Sequence, residues 1–281
     1  MREEYLGRIT SIVQMGGEIA LDLMSATRPT LKPDNSVVTE ADLEVSRLAR
    51  LKLRDLLARQ DHLLIEEEDS TSIRYLDDGS FGSTRFVWAL DPIDGTRAFA
   101  NGMPTFGISI GLLRNLRPWL GAVYFPMLRE LFYSDGQQSF FVQNAFQADR
   151  VSTLITPVQQ EITNREIFLC NDSFSEHFEW RPAVCQIMNP CCASLSLCWP
   201  TIGRGCGAFF GAHIWDFAGA WPIVLCAGLN FRSYGSGAQL RRADAHLFCG
   251  SGRDPWKLRD YYILSSESTF SRLRKNIVKR P

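Results

Sequence analysis

Two long amphipathic helices, a run of short strands after them, and then an alternation of strands with helices predict an α+β first half over residues 1–150 and an α/β second half over residues 151–281. From Leu6 to Met24, apolar residues recur at Leu6, Ile9 and Val13 and again at Ile12, Ile19 and Leu23, the spacing of a helix with one buried face. Residues 29–36 are polar and interrupted by Pro29 and Pro33, so a loop or irregular hairpin follows. Thr39-Glu40-Ala41-Asp42 has the form of a helix start, and Leu43, Val45, Leu48 and the stretch from Leu51 to Leu56 give the second helix its apolar side.

His62-Leu63-Leu64-Ile65 reads as a short strand running into Glu66-Glu67-Glu68-Asp69, and Phe86-Val87-Trp88-Ala89-Leu90 as a buried one. Strand-like runs at 107–113, 121–124, 130–133 and 139–142 suggest a mostly antiparallel meander. Beyond it come a strand at 167–170, a helix at 191–202, a strand at 208–210 and a helix at 215–227. The basic ending from Arg272 to Arg280 reads as a solvated helix end.

Composition narrows the class of function. Apolar residues make up 45% of the 281, with seven Trp and eighteen Phe, enough to build a large core and to exclude a disordered chain. A formal charge of −1 supplies no field that would gather nucleic acid or an anionic membrane, so an anionic substrate has to be held by local devices. The first 24 residues lack the basic head and continuous apolar run of a secretion signal, and no stretch approaches the roughly 18 apolar residues of a membrane span. The expectation is a soluble, cytoplasmic protein. All eight cysteines lie between Cys170 and Cys249 without a CxxC pair, which reads as apolar packing in a reducing compartment rather than a zinc site. The four histidines, His62, His177, His213 and His246, have no catalytic or metal-binding spacing and are assigned structural or surface roles.

The chemistry concentrates at Asp91-Pro92-Ile93-Asp94-Gly95-Thr96. Two carboxylates at the end of an apolar strand would be costly unless they had a partner. Pro92 and Gly95 supply a sharp turn past the strand, so that both Asp side chains and the Ile93 carbonyl converge, and hard oxygen donors arranged this way suit Mg2+. Gly95 and Thr96 open a short helix toward Phe99, and the exposed amides of a helix start are a binding place for phosphate.

That hexapeptide is similar to the DP(I/L)DGT signature of the inositol monophosphatase superfamily. The flanking landmarks follow in order: Lys32-x-Asp34-Asn35-Ser36-Val37-Val38-Thr39-Glu40-Ala41-Asp42, the pair Glu67-Glu68, and Trp215-Asp216-Phe217-Ala218-Gly219. The resemblance implies a layered αβαβα sandwich with the site between its halves, a homodimer, and hydrolysis of a small-molecule phosphate ester with two to three Mg2+ ions. It implies Glu68, Asp91 and the Ile93 carbonyl on one ion and Asp91, Asp94 and Asp216 on a second. Glu68 would orient the attacking water, helped by a relay of Thr96 and Asp42. Trp215 would pack to fix the helix carrying Asp216.

The substrate side departs from the pattern. Where the family has a Gly-Ser/Thr-Ala segment, this chain reads Ile187-Met188-Asn189-Pro190-Cys191-Cys192-Ala193, and Phe209 stands seven residues before Asp216 in place of a glutamate. Cys191 and Phe209 are therefore expected to face the substrate, and a ring cannot accept a hydrogen bond from a polyol. Inositol phosphate is disfavoured by this reading. The motifs do not separate 3'-phosphoadenosine-5'-phosphate, histidinol phosphate and fructose 1,6-bisphosphate as substrates, and a regulatory protein on the same fold is the rival from another class.

Overall fold

The computed structural model describes residues 1–25, 29–31, 37–159, 162–181, 185–250 and 254–280. Helices α1 (Arg2–Met24) and α2 (Glu40–Leu57) form as the apolar spacing predicts, and the Asp42 carboxylate accepts from the Thr39 backbone N–H, at 2.8 Å, to close the start of α2. The segment from Lys32 to Ser36 lies outside the described residues.

A seven-stranded sheet follows in simple order: β1 (His62–Glu66), β2 (Phe86–Asp94), β3 (Gly107–Arg114), β4 (Arg117–Phe125), β5 (Glu130–Ser134), β6 (Ser139–Gln143) and β7 (Val151–Leu154). Only β1 and β2 run parallel; the rest is the antiparallel meander. Because side chains alternate across a strand, Trp88 and Leu90 face α1 and α2, while Val87 and Ala89 face the opposite way, into a second core. The expected turn at Pro92 is instead a continuation of β2 as far as Asp94, with a register shift against β3 between Asp91 and Asp94. A proline, having no N–H to donate, is tolerated where the ladder is already interrupted.

The second half holds a five-stranded sheet ordered β9-β8-β10-β12-β11, built from β8 (Ile167–Cys170), β9 (Gln186–Met188), β10 (Gly207–Phe210), β11 (Asn230–Ser233) and β12 (Tyr262–Ser265). Helices α4 (Ala193–Cys198), α5 (Ile214–Ala218) and α6 (Trp221–Cys226) fill the space between the sheets; the short α3 (Thr96–Ala100) follows β2. Helix α7 (Glu267–Asn276) covers the far face through Phe270 and Leu273. The layers are thus helices, sheet, helices, sheet, helix. The single helices expected over 191–202 and 215–227 are each divided: Pro200 sits in a tighter turn at 199–202, and Gly219 separates α5 from α6. The basic tail ends α7 and then forms a short strand at 277–279. No helix among the described residues is long and apolar enough to cross a membrane.

One packing detail governs the site. Gly111 and Gly121 are cross-strand partners on β3 and β4, and a Cβ on either would overlap the backbone of Ala218 or Gly219 at the end of α5. The paired glycines therefore form the groove in which α5 lies. Gly111→Ala is expected to destabilise the fold by about 3 kcal/mol, because the obstructing atoms are backbone and no rotamer change relieves them. Urea denaturation checks this; an unchanged midpoint would contradict it.

Candidate active site

Three carboxylates from two distant parts of the chain meet at the junction of the layers. Oxygen atoms of Asp91, Asp94 and Asp216 lie within 4.8 Å of one another. Asp91 and Asp94 arrive on the disrupted end of β2, and Asp216 on the first turn of α5, where its Oδ2 accepts the His213 backbone N–H at 2.8 Å. Asp94 spans the layers: its carboxylate accepts the Ala193 N–H at 2.9 Å, the Ser194 N–H at 2.5 Å and the Cys192 thiol at 3.2 Å, all at the start of α4.

The cluster is electrostatically incomplete. Asp91 is 2% exposed, and its Oδ1 finds no hydrogen-bond donor among the described residues. Burial, then the negative charges of Glu67, Asp94 and Asp216, push the Asp91 carboxyl well above the usual range. Burial and Asp216 push Asp94 up to about 6, against the lowering effect of its Ser194 and Cys192 contacts. A buried, orphaned carboxylate oxygen among two further carboxylates fits a divalent cation taking oxygen ligands.

The same shifts have a sign in stability. Groups whose pKa is higher in the folded state bind more protons there than in the unfolded chain, so their contribution is present at acidic pH and is lost as pH rises through the folded value. Without divalent cation, the wild type is expected to lose about 3 kcal/mol on this account as pH rises from about 4 to above 6, the scale of the Asp94 shift. Asp94→Asn is expected to flatten that part of the profile. Denaturation at a series of pH values in chelator measures it, and identical profiles would contradict it.

Thr96 begins α3 with its hydroxyl 2.9 Å from the Ile93 carbonyl oxygen and 3.3 Å from Asp42 Oδ1, either of which it can donate to. Asp42 itself is fully buried, held by the Thr39 hydroxyl at 2.5 Å as well as the Thr39 N–H. Gly95 adopts φ +87°, and a Cβ there would sit 2.9 Å from the carbonyl oxygens of Cys191 and Thr105, so glycine is required at this turn.

Of the residues expected from sequence, Asp91, Ile93, Asp94, Gly95, Thr96, Cys191 and Asp216 line one cleft of about 1260 Å3, with Asp42 buried behind Thr96. Two do not line it. Glu68 is absent from the lining, whereas Glu67 is present and is the glutamate whose charge Asp91 feels. The register explains this: Glu66 pairs with Leu90 in the parallel β1–β2 ladder, so the next residue, Glu67, comes beside Asp91. Glu66 turns inward instead, to Arg50, whose Nε donates to it at 2.6 Å. Phe209 does not face the cleft. It is fully buried on the opposite face of the second sheet, stacked on Tyr261 at 5.3 Å and edge-on to Phe174 and Phe178.

His213 and Asp172, given no part in the site from sequence, also belong to the cleft. His213 stacks flat on Trp215, with ring centroids 4.7 Å apart. Asp172 ties the two halves together, accepting from Arg97 at 3.2 Å and from Asn189 at 2.7 Å. Cys191, at φ +58°, adopts a left-handed conformation that favours glycine. Cys191→Gly is accordingly expected to raise stability by up to about 1 kcal/mol, read as a higher melting temperature; a lower one would contradict the strain.

Comparison with known proteins agrees with this architecture. A model described as the inositol monophosphatase family matches residues 7–267. Inositol monophosphatase 1 of Solanum lycopersicum is 27% identical over 244 residues, 80% of this chain and 83% of that protein. The 3'(2'),5'-bisphosphate nucleotidase CysQ of Aggregatibacter actinomycetemcomitans is 30% identical over 152 residues, 50% of this chain and 54% of its own. A crystal structure of an IMPase/NADP phosphatase, complexed with NADP and Ca2+, superposes with a TM-score of 0.72 at 16% identity, covering 98% of this chain and 95% of that one, which is a likeness of fold. A match across nearly the whole chain, on a fold that brings the signature carboxylates together, makes this protein a member of the inositol monophosphatase family, and with it a phosphoric monoester hydrolase.

Proposed function

We propose that the chain hydrolyses a small phosphate monoester with the help of Mg2+, in the cleft between its halves. The observation that carries this reading is the buried Asp91 oxygen that meets no donor among the described residues, set among Asp94 and Asp216. These three carboxylates would hold the cation, with Glu67 and the Ile93 carbonyl beside them, and hard oxygen donors favour Mg2+ over softer metals. When bound, such a cation neutralises charge on the phosphoryl oxygens and eases deprotonation of the attacking water.

The chain's own residues supply the rest. Glu67 takes the role first given to Glu68, orienting the water for in-line attack. Thr96, backed by the fixed carboxylate of Asp42, holds a proton path at the same place: its hydroxyl can accept from the water while donating to Asp42. The Gly95–Thr96 turn, which lines the cleft at the start of α3, is the proposed seat of a phosphate oxygen. Cys191, which lines the same cleft, is assigned to the substrate's side of it. The Pro190-Cys191-Cys192 run, standing where the family has a glycine and a hydroxyl residue, supports a substrate other than inositol phosphate; Phe209, buried away from the cleft, has no part in that choice. A balanced chain charge supports a small-molecule ester rather than nucleic acid or a membrane surface, and the family resemblance supports a cytoplasmic homodimer.

Phosphate release from a panel of monoesters, with Mg2+ and with chelator, tests the proposal. Release that needs Mg2+ and shows no preference for inositol 1-phosphate is expected. No release from any ester, or release unaffected by chelator, would refute the reading, and a clear preference for inositol 1-phosphate would refute its substrate part.

A further inference from the structure

A second, smaller cavity of about 320 Å3 opens on the far side of the central helices, between the start of β4 and helix α6. Its floor is apolar, made by Pro118, Trp221, Leu225 and Leu240, and its rim carries Arg117, Arg241 and Gln239. Neither Arg117 nor Arg241 has a carboxylate partner among the described residues, although the chain as a whole is almost neutral. Arg241 Nε donates to Gln239 Oε1 at 3.2 Å, which holds its head at the rim. Arg114, the cross-strand neighbour of Arg117, adds a third cation and lies over the Trp119 ring.

The walls are preformed. The 240–243 segment is tied to β11 by the Leu240 N–H, which donates to Phe231 O at 2.8 Å, and to the β3–β4 turn by the Ala243 N–H, which donates to Leu116 O at 2.8 Å. An open cavity of this volume, lined by both apolar and polar side chains, is at the lower end of the range that takes small molecules, about 300 to 1,000 Å3. Uncompensated guanidinium groups above an apolar floor select an anion carrying an apolar body, since the fork of N–H donors matches a carboxylate. Trp221 further links this cavity to the catalytic side. It begins α6, three residues beyond the α5 helix that carries Asp216, and its buried indole N–H meets no acceptor among the described residues.

We propose that this cavity is a binding site for a small organic carboxylate with a flat apolar body, separate from the phosphatase cleft. Calorimetric titration with naphthoate, against the neutral naphthamide, tests it on the full chain in chelator. One saturable site is expected in the wild type and equally in Asp91→Asn, whose altered cleft then cannot be its source. Naphthamide is expected to bind at least about tenfold more weakly, as is naphthoate to the Arg117→Gln/Arg241→Gln variant. Leu225→Glu, at a side chain already 39% exposed, is expected to weaken naphthoate similarly without unfolding the chain, as a melting curve checks. No saturation by wild type at millimolar naphthoate, equal affinity in the double variant, or loss of binding in Asp91→Asn would each overturn the proposal.

Discussion

Replacing Asp91 by Asn is expected to cut phosphate release at least about a thousandfold, the upper scale for removing one preorganised electrostatic contributor, while leaving the cation-free fold as stable as the wild type or more so. The two effects have one cause. Asp91 is buried against three other carboxylates, so its charge is a cost to folding that only a cation offsets. The neutral amide keeps the shape of the side chain and removes both the repulsion and the ligand. Melting curves separate this from simple damage: Mg2+ at a hundred times its dissociation constant stabilises the wild type by about 2.7 kcal/mol, several degrees for a chain of this size, and Asn at position 91 is expected to abolish that shift. A variant that retained a tenth of the wild-type rate, or melted well below the wild type in chelator, would contradict the account.

Glu67→Gln is expected to lower kcat by about a hundredfold or more, the scale of a positioned proton-transfer group, whereas Glu68→Gln leaves it within a few-fold. Both changes fall in the same acidic run, so a loss common to both would point to the fold of the segment rather than to one carboxylate. The contrast rests on ladder register: Glu66 opposite Leu90 sends Glu67 toward Asp91 and the cleft. Steady-state kinetics on any ester the enzyme accepts measures it. Greater loss in Glu68→Gln would reverse the assignment.

How much of this was legible in the sequence depended on whether the deciding contact was local. Helices α1 and α2 were readable because each buries one face, leaving a period in the sequence. Asp91 and Asp94 were conspicuous because charges at the end of an apolar strand demand an explanation, and Asp216 joined them only through the ordered resemblance of the motifs. The choice between Glu67 and Glu68 turned on the register of two parallel strands, which nothing in the acidic run itself records. Phe209 was misplaced for a related reason. Strand β10 is buried on both faces, so Phe209 and Phe210 look alike in sequence while facing different cores. The edge strand β7 was missed because all four of its residues are exposed and leave no alternation to read.

Other features depended on atoms far apart in the chain. The bond from the Ala193 and Ser194 amides to Asp94 joins residues about a hundred positions apart, and the glycine pair that seats α5 shows its purpose only once Ala218 lies against it. Cys191 carries a second property that its sequence context does not show: the position read as a lost substrate contact is also a strained, left-handed one.

The most direct measurement is anomalous scattering from crystals soaked in Mn2+, a stand-in for Mg2+ with the same preference for oxygen ligands. A peak within coordination distance of Asp91, Asp94 and Asp216 together is expected, and its disappearance in Asp91→Asn crystals. A soaked wild-type crystal with no peak there, or with manganese bound only elsewhere, would contradict it.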